Sequence, residues 1–107
     1  MATAKTTGST MISETIEIDG ISFQGTALKT RHATILLIQG ESGNLGCGYF
    51  SLGPADRLGD RFALVTGVKV FSDMLEARVS AMSEEAARCG VTAGMTGREA
   101  LLRMERN

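Results

Sequence analysis

Thr15-Ile16-Glu17-Ile18-Asp19-Gly20-Ile21-Ser22-Phe23-Gln24 contains two short runs of alternating polar and apolar residues, separated by Asp19-Gly20. Such alternation is typical of strands with one buried face. The Asp-Gly pair accepts the positive φ angles of a two-residue hairpin turn. A turn at this pair would place four apolar side chains on one face, namely Ile16, Ile18, Ile21 and Phe23. The stretch therefore predicts an N-terminal β-hairpin.

A second hairpin is predicted further along the chain. Residues 34–38 form a continuous apolar run, which suits a strand buried on both faces. The glycine-containing residues 40–43 are interpreted as a turn, and residues 45–50 as the returning strand. Residues 62–66 form another apolar run and are predicted to be a further strand.

Short helices are predicted between and after these strands. Pro54 suits the first turn of a helix that has Ser51 or Gly53 near its cap and ends at Gly59. Residues 72–75 begin a brief helical turn.

Residues 75–85 are ambiguous, because helix propensity alone allows one long helix over 72–88. Alternation and a fresh helix start at Ser83 favour a strand over 77–82 and a helix over 83–89, closed by Gly90 in a left-handed cap.

The C-terminal segment carries the clearest helix signal. Thr96-Gly97-Arg98-Glu99 has the pattern of a capping box, and the helix is predicted to extend to about Arg106. Its inner stripe holds Ala100, Leu101 and Met104. Together these elements predict an α+β fold: a mixed β-sheet with N-terminal hairpins, short helices and a C-terminal helix packed on the sheet.

Composition limits the domain organisation and the possible partners. The chain has 107 residues, of which 43% are hydrophobic. We expect a flexible tail over residues 1–12 and a single domain over 13–107. A domain this small gains from burying further surface, so we expect a homo-oligomer. The net charge of −1, with no basic stripe, argues against nucleic acid, and no apolar run is long enough to span a membrane.

The cysteines and the N-terminal segment predict the compartment. The first ten residues contain no apolar stretch of the kind a signal peptide needs. Cys47 and Cys89 are expected to be free thiols in a reducing compartment, so we predict a cytoplasmic protein. Two cysteines and one histidine show no ligand spacing, and we therefore expect no metal site and no cofactor.

Three stretches of the chain carry a likeness to a known family. They are Cys47-Gly48-Tyr49, Gly67-Val68-Lys69 leading to Asp73-Met74-Leu75, and Gly94-Met95-Thr96-Gly97-Arg98-Glu99-Ala100-Leu101. On these stretches the chain resembles the YunC-like family, small uncharacterised proteins described as a domain of unknown function. The resemblance spans about residues 14–106. It implies a compact α+β fold with a mixed sheet, and it brings no activity.

Cys47 is the first candidate for chemistry. It lies between Gly46 and Gly48, which would leave its sulfur uncrowded and let a ligand approach the backbone, with Tyr49 beside it. The alternative is a small buried residue on a central strand. A turn at 41–42 would set Cys47 opposite Leu36. His32 would then be four residues further along at ~3.3 Å each, about 13 Å away and beyond hydrogen-bond reach.

Two other patterns in the sequence resemble nucleotide or anion sites. The glycines of residues 40–48 lead into a strand rather than a helix, and Lys29 lacks the glycine that precedes it in a P-loop, so nucleotide motifs are excluded. The helix start at Thr96, Gly97 and Arg98 offers backbone N–H groups and a guanidinium to a small anion. The alternative there is simple helix capping.

Two functions remain open at this stage, and a third, a purely structural assembly partner, cannot be separated from the first of them by sequence. The first is a non-catalytic homo-oligomeric module that binds a small molecule or a protein partner. The second is an enzyme that uses Cys47 as a nucleophile or redox thiol, with assisting groups from a neighbouring subunit. The sequence does not decide whether the protein is an enzyme.

Overall fold

The structure is a computed structural model that describes residues 11–106. Within these residues a single sheet holds six strands in sequence order. They are β1 (Met11–Ile18), β2 (Ile21–Lys29), β3 (Thr34–Gln39), β4 (Asn44–Gly46), β5 (Phe62–Leu64) and β6 (Ala81–Met82). Neighbouring strands are antiparallel except β4 and β5, which are parallel. The sheet is therefore mixed, as predicted.

Helices connect and cover the later strands. They are α1 (Gly53–Leu58), α2 (Phe71–Glu76), α3 (Glu84–Arg88) and α4 (Gly97–Arg106). Because parallel strands need a crossover connection, α1 lies between β4 and β5. The C-terminal helix α4 contacts both of these strands and also packs against α2. The predicted α+β class, with a C-terminal helix on the sheet, is confirmed.

The first hairpin forms as the sequence predicts. Ile18 pairs with Ile21, and the Ile16–Phe23 pair follows. Asp19 has φ +51° and Gly20 φ +81°, the double positive φ of a type I′ turn. Ile18 and Phe23 are buried in the core, and the other two apolar residues of the hairpin pack partly against it.

Replacing Gly20 with valine should lower the free energy of unfolding by ~1 kcal/mol or more, because a β-branched residue is strained at positive φ. Thermal denaturation followed by circular dichroism measures the loss. A melting temperature equal to that of the parent would contradict the role assigned to this turn.

The middle strand β3 is buried on one face only. Leu36 and Ile38 are 1% and 0% exposed, whereas Ile35 and Leu37 are half-buried. The prediction of a strand buried on both faces was therefore wrong. The helix α4 covers one face of the sheet, and Ile35 lies on the other, in register with the exposed Leu28.

Several predicted boundaries shift in the structure. The strand β1 begins at Met11, inside the predicted tail, and residues 1–10 lie outside the described residues. The strand predicted over 45–50 ends at Gly46, because the chain turns at Cys47. The helix α1 has Leu52 at its N-cap, between Ser51 and Gly53, and no side-chain cap. Pro54 lies in its first turn and Gly59 ends it, as predicted.

The split of residues 72–89 is confirmed. The helix α2 ends at Glu76, and α3 starts after Ser83, whose side chain accepts a hydrogen bond from the Ala86 N–H. Gly90 follows with φ +97°. The strand between them is shorter than the predicted 77–82: β6 has two residues, and Arg78 makes an isolated bridge to Thr96.

Candidate functional site

Cys47 is positioned by the hairpin of β3 and β4. The register places Leu37 opposite Gly46, and the next pair along is Leu36 and Cys47. The Cys47 N–H donates to the Leu36 carbonyl at 3.1 Å, which confirms the register predicted from the turn. Cys47 is 5% exposed and belongs to the hydrophobic core cluster.

The Cys47 thiol takes the place of a missing sheet hydrogen bond. In an antiparallel pair of this kind each residue both donates to and accepts from the other. Here the Cys47 carbonyl has turned away and accepts from the Phe50 N–H at 3.1 Å. The Leu36 N–H donates instead to Cys47 Sγ, at 3.3 Å, in a buried position. The sulfur therefore satisfies a backbone donor that would otherwise be unpaired.

Replacing Cys47 with alanine should cost about 2 kcal/mol of unfolding free energy, because the buried Leu36 N–H loses its acceptor. Cys47→Ser should cost less, since the hydroxyl oxygen can still accept. If the Cys47 side chain had only apolar neighbours, Cys47→Ser would be less stable than Cys47→Ala, because a buried hydroxyl without a hydrogen-bond partner is destabilising. Urea denaturation of the two variants distinguishes these cases, and a serine variant less stable than the alanine variant would contradict the assignment.

Beside Cys47 the surface opens into a cleft of about 650 Å³. Three separate segments of the chain supply its walls: 32–34, 47–49 and 67–69. The chemically functional side chains among them are His32, Cys47, Tyr49 and Lys69. His32, Tyr49 and Lys69 are exposed, so the cleft has a buried thiol and accessible polar walls.

The segment 67–69 is held in place by backbone conformation and by one carboxylate. Gly67 has φ +72°, a conformation that side-chain-bearing residues rarely adopt. Two residues later, the Lys69 N–H donates to Asp73 Oδ2 at 3.0 Å, near the start of α2. These two features turn the chain towards the loop that follows Cys47.

The structure brings only some of the predicted site residues together. Gly48 and Tyr49 line the cleft with Cys47. Gly46 lies outside it, buried where a Cβ would be 2.7 Å from both the Phe50 and the Phe62 ring. Its small size lets these rings pack against the sheet.

His32 joins Cys47 in the cleft, which sequence reasoning did not predict. The strand β3 begins at Thr34, and residues 30–33 form a turn at the wall of the cleft, closed by a Thr30 N–H to Ala33 carbonyl bond of 2.8 Å. No hydrogen bond joins His32 to Cys47 within residues 11–106.

Sequence reasoning also missed Lys69 as a site residue. It is twenty-two positions beyond Cys47, and no periodic pattern marks it. The available signal was Gly67-Val68-Lys69, one of the stretches that carried the family likeness.

The other predicted ligand residues lie at the start of α4, away from this cleft. The Thr96 hydroxyl accepts from the Glu99 N–H at 3.1 Å, and Glu99 Oε1 accepts from the Thr96 N–H at 3.2 Å. This reciprocal pair is the predicted capping box. Gly97 leaves no room for a ligand on one side, since a Cβ there would be 2.1 Å from the Met74 carbonyl oxygen. Arg98 is ion-paired with Glu76 at 2.9 Å.

Anion binding at this helix start stays a prediction, and two variants test it. If Thr96 acts only as a cap, Thr96→Ala should cost ~1 kcal/mol, and Arg98→Ala should cost no more than about 0.5 kcal/mol. Phosphate should then stabilise the parent and Arg98→Ala equally, as a general salt effect. We expect this outcome, because Glu99 and Glu76 already engage the polar groups. Thermal shifts in phosphate, with chloride at matched ionic strength, decide it; a gain abolished by Arg98→Ala would establish an anion site.

The described residues contain neither a metal-ligand cluster nor a membrane-spanning helix. Within 11–106 no three His, Cys, Asp or Glu side chains gather as a metal-ligand set. Within the same residues neither Cys47 nor Cys89 forms a disulfide, and both are buried. None of the helices in the described part of the chain combines the length and apolarity needed to cross a bilayer.

Fold and cleft together define a small α+β domain in which a mixed sheet carries one C-terminal helix. Residues 46–104 match the family described as domain of unknown function (DUF1805), and the chain belongs to this family. The match contains all three stretches that carried the likeness, so the predicted membership in a family of unknown function is confirmed. The likeness to YunC-like proteins in particular stays an expectation.

A solved structure supports the same fold. It is the crystal structure of a protein of unknown function from Thermoplasma acidophilum, 33% identical in sequence, with a TM-score of 0.84. The alignment covers 88% of this chain and 92% of that protein. A search of curated proteins finds no match. These comparisons supply family and fold and no activity.

Proposed function

We propose that this protein is a cytoplasmic, homo-oligomeric module that binds a small ligand in the Cys47 cleft. One observation carries the proposal. His32, Tyr49 and Lys69, from three separate segments, line the same cleft as Cys47 and make no side-chain hydrogen bond or ion pair to another residue within 11–106. Polar side chains that converge on a cleft without internal partners are available to a ligand.

The homo-oligomer rests on a different surface. The strand β1 is at one edge of the sheet, and its outer edge pairs with no strand in the described part of the chain. Large apolar side chains are exposed beside it: Met11, Ile12 and Leu28 are 45%, 57% and 40% exposed. An exposed edge next to apolar side chains favours association with another chain. Two buried cysteines that form no disulfide within residues 11–106 suit the reducing cytoplasm.

Native mass spectrometry of protein purified from its own source tests both parts. We expect a mass that is a multiple of the 11.3 kDa chain plus a retained small molecule. Light scattering at micromolar concentration gives the subunit number independently. A scattering mass near 11.3 kDa would overturn the homo-oligomer.

An enzyme with Cys47 as nucleophile or redox thiol is the second candidate. The observation that favours it is that an imidazole and an ammonium group line the cleft with the thiol. Against it stands the structural role of the sulfur, which accepts the Leu36 N–H. The rate of Cys47 alkylation by iodoacetamide at neutral pH separates the two. A rate well above that of an unstructured cysteine peptide supports the enzyme, and a rate at or below it supports the binding module.

A further inference from the structure

Lys69 supplies the fixed charge in the lining of the Cys47 cleft. The lining also includes the imidazole of His32, and no Asp or Glu of residues 11–106 lines it. The carboxylate nearest to Lys69 in sequence, Asp73, is engaged by the Lys69 backbone N–H rather than by the cleft. The lining of the cleft therefore presents a positive charge to a ligand, and no carboxylate among residues 11–106 belongs to that lining.

Lys69 also differs from the arginines that form ion pairs on the surface. Arg88 is paired with Glu84 and Glu85, Arg98 with Glu76, and Arg106 with Asp19. Lys69 forms no ion pair with any residue of 11–106. An exposed lysine ammonium has three donors and no acceptor, so its natural counterpart is an anion.

The loop after Cys47 adds hydrogen-bond donors to the same cleft. Its turn uses the Cys47 carbonyl and the Phe50 N–H, and the N–H groups of Gly48 and Tyr49 have no acceptor among residues 11–106. Gly48 is exposed, and a Cβ there would be 3.6 Å from the nearest atom, Thr66 Cγ2. Backbone N–H groups, a phenol and an ammonium together give a surface rich in donors.

The apolar part of the lining has a different character. It consists of the exposed Ala33, the half-buried Val68 and the buried Cys47. An apolar or polarizable group fits against these side chains, while an oxygen anion fits against Lys69. A ligand that satisfies both parts carries a negative oxygen group at one end and a short apolar portion at the other.

From this distribution we infer that the ligand is a small organic oxyanion, held at its charged end by Lys69 with its apolar end against Val68 and Cys47. The inference rests on the proposed function, because it assigns a chemical class to the same cleft. It does not involve the α4 helix start, where the polar groups are engaged by Glu99 and Glu76.

Two alkylating reagents of similar size, one neutral and one anionic, test the inference. Iodoacetamide is neutral, and iodoacetate carries the carboxylate that the cleft should attract. Peptide-level mass spectrometry gives the rate constant at Cys47 for each reagent and separates it from Cys89, which is buried outside the cleft. The measured quantity is the iodoacetate-to-iodoacetamide rate ratio in the full chain at low ionic strength, relative to an unstructured cysteine peptide.

We expect the ratio at Cys47 to exceed that of the peptide several-fold and to fall about threefold in Lys69→Gln, since an adjacent charge acts strongly only at short range. Arg57→Gln is the matched control. It removes an exposed cation from α1 that does not line the cleft, and the ratio should stay at the parental value.

The failures are distinguishable. If iodoacetamide modifies Cys47 but the ratio is the same in the parent and Lys69→Gln, the oxyanion inference is overturned while the cleft stands. If neither reagent modifies Cys47 in the folded protein, a ligand in the cleft does not contact the thiol, and the oxyanion inference is overturned. The binding module is compatible with that low rate, and the native mass spectrum tests it separately.

Discussion

Replacing Gly97 with alanine is expected to lower the free energy of unfolding by about 3 kcal/mol, because among the described glycines its added Cβ would approach a neighbouring atom most closely. Gly97 is the first residue of α4 and is fully enclosed where this helix passes α2. An added Cβ would lie 2.1 Å from the Met74 carbonyl oxygen and 2.8 Å from Leu45 Cδ2. The closer atom belongs to the backbone, so a rotamer change cannot relieve the clash.

The expected loss corresponds to a melting temperature about 15 °C below the parent for a domain of this size. Gly48→Ala is the matched control, because its Cβ would meet only Thr66 Cγ2, at an ordinary 3.6 Å. That variant should stay within about 0.5 kcal/mol of the parent. Equal melting temperatures for the two variants would show that α2 and α4 can separate freely, contrary to the packing described.

Replacing Ser83 with alanine is expected to have the second large effect, also about 3 kcal/mol. The Ser83 hydroxyl is fully buried and makes three hydrogen bonds. It donates to the Asp60 carbonyl at 2.7 Å, and it accepts from the N–H groups of Phe62 and Ala86 at 3.0 and 3.2 Å. One side chain thus joins the start of α3 to the beginning of β5.

Alanine at position 83 would leave two backbone donors and one acceptor without partners, which is the costly way to lose hydrogen bonds. Ser80→Ala is the control, because Ser80 is exposed and makes one longer contact, to the Leu64 carbonyl at 3.3 Å. We expect Ser80→Ala to remain within about 0.5 kcal/mol of the parent. Guanidinium denaturation measures both, and a Ser83→Ala variant as stable as Ser80→Ala would contradict the bridging role.

Local chemistry explains what could be predicted from the sequence. The Asp19-Gly20 turn and the Thr96 capping box each depend on residues close together in the chain, and both form as predicted. The pairing of Cys47 with Leu36 across the two strands could be predicted from the position of the turn at residues 41–42.

Features that depend on distant partners were not predictable in this way. Ser83 has the pattern of an ordinary helix start, and only the tertiary fold brings Asp60 and Phe62 to its hydroxyl. The early end of β4 depends on a turn in which the Cys47 carbonyl bonds to Phe50 instead of the sheet.

The difference between neighbouring residues and distant partners also explains how much of the site could be predicted. Cys47, Gly48 and Tyr49 are consecutive, and the sequence singled them out as a group. His32 and Lys69 reach the cleft through two other loops, and no local pattern in the sequence marks either of them as part of the site. The helix start at Thr96 was predicted as an anion site because its backbone donors can be recognised in the sequence. The ion pair between Glu76 and Arg98 could not be predicted, because the two residues are far apart in the chain.

The most direct measurement of the central claim is an amide chemical-shift titration of the isotopically labelled protein, with acetate and inorganic phosphate as separate probes and chloride as the ionic-strength control. We predict saturable shifts that cluster at residues 32–34, 47–49 and 67–69 and disappear in Lys69→Gln. Saturable shifts confined to the amides of Gly97 and Arg98, or none beyond those that chloride produces, would contradict the assignment of the Cys47 cleft as the binding site.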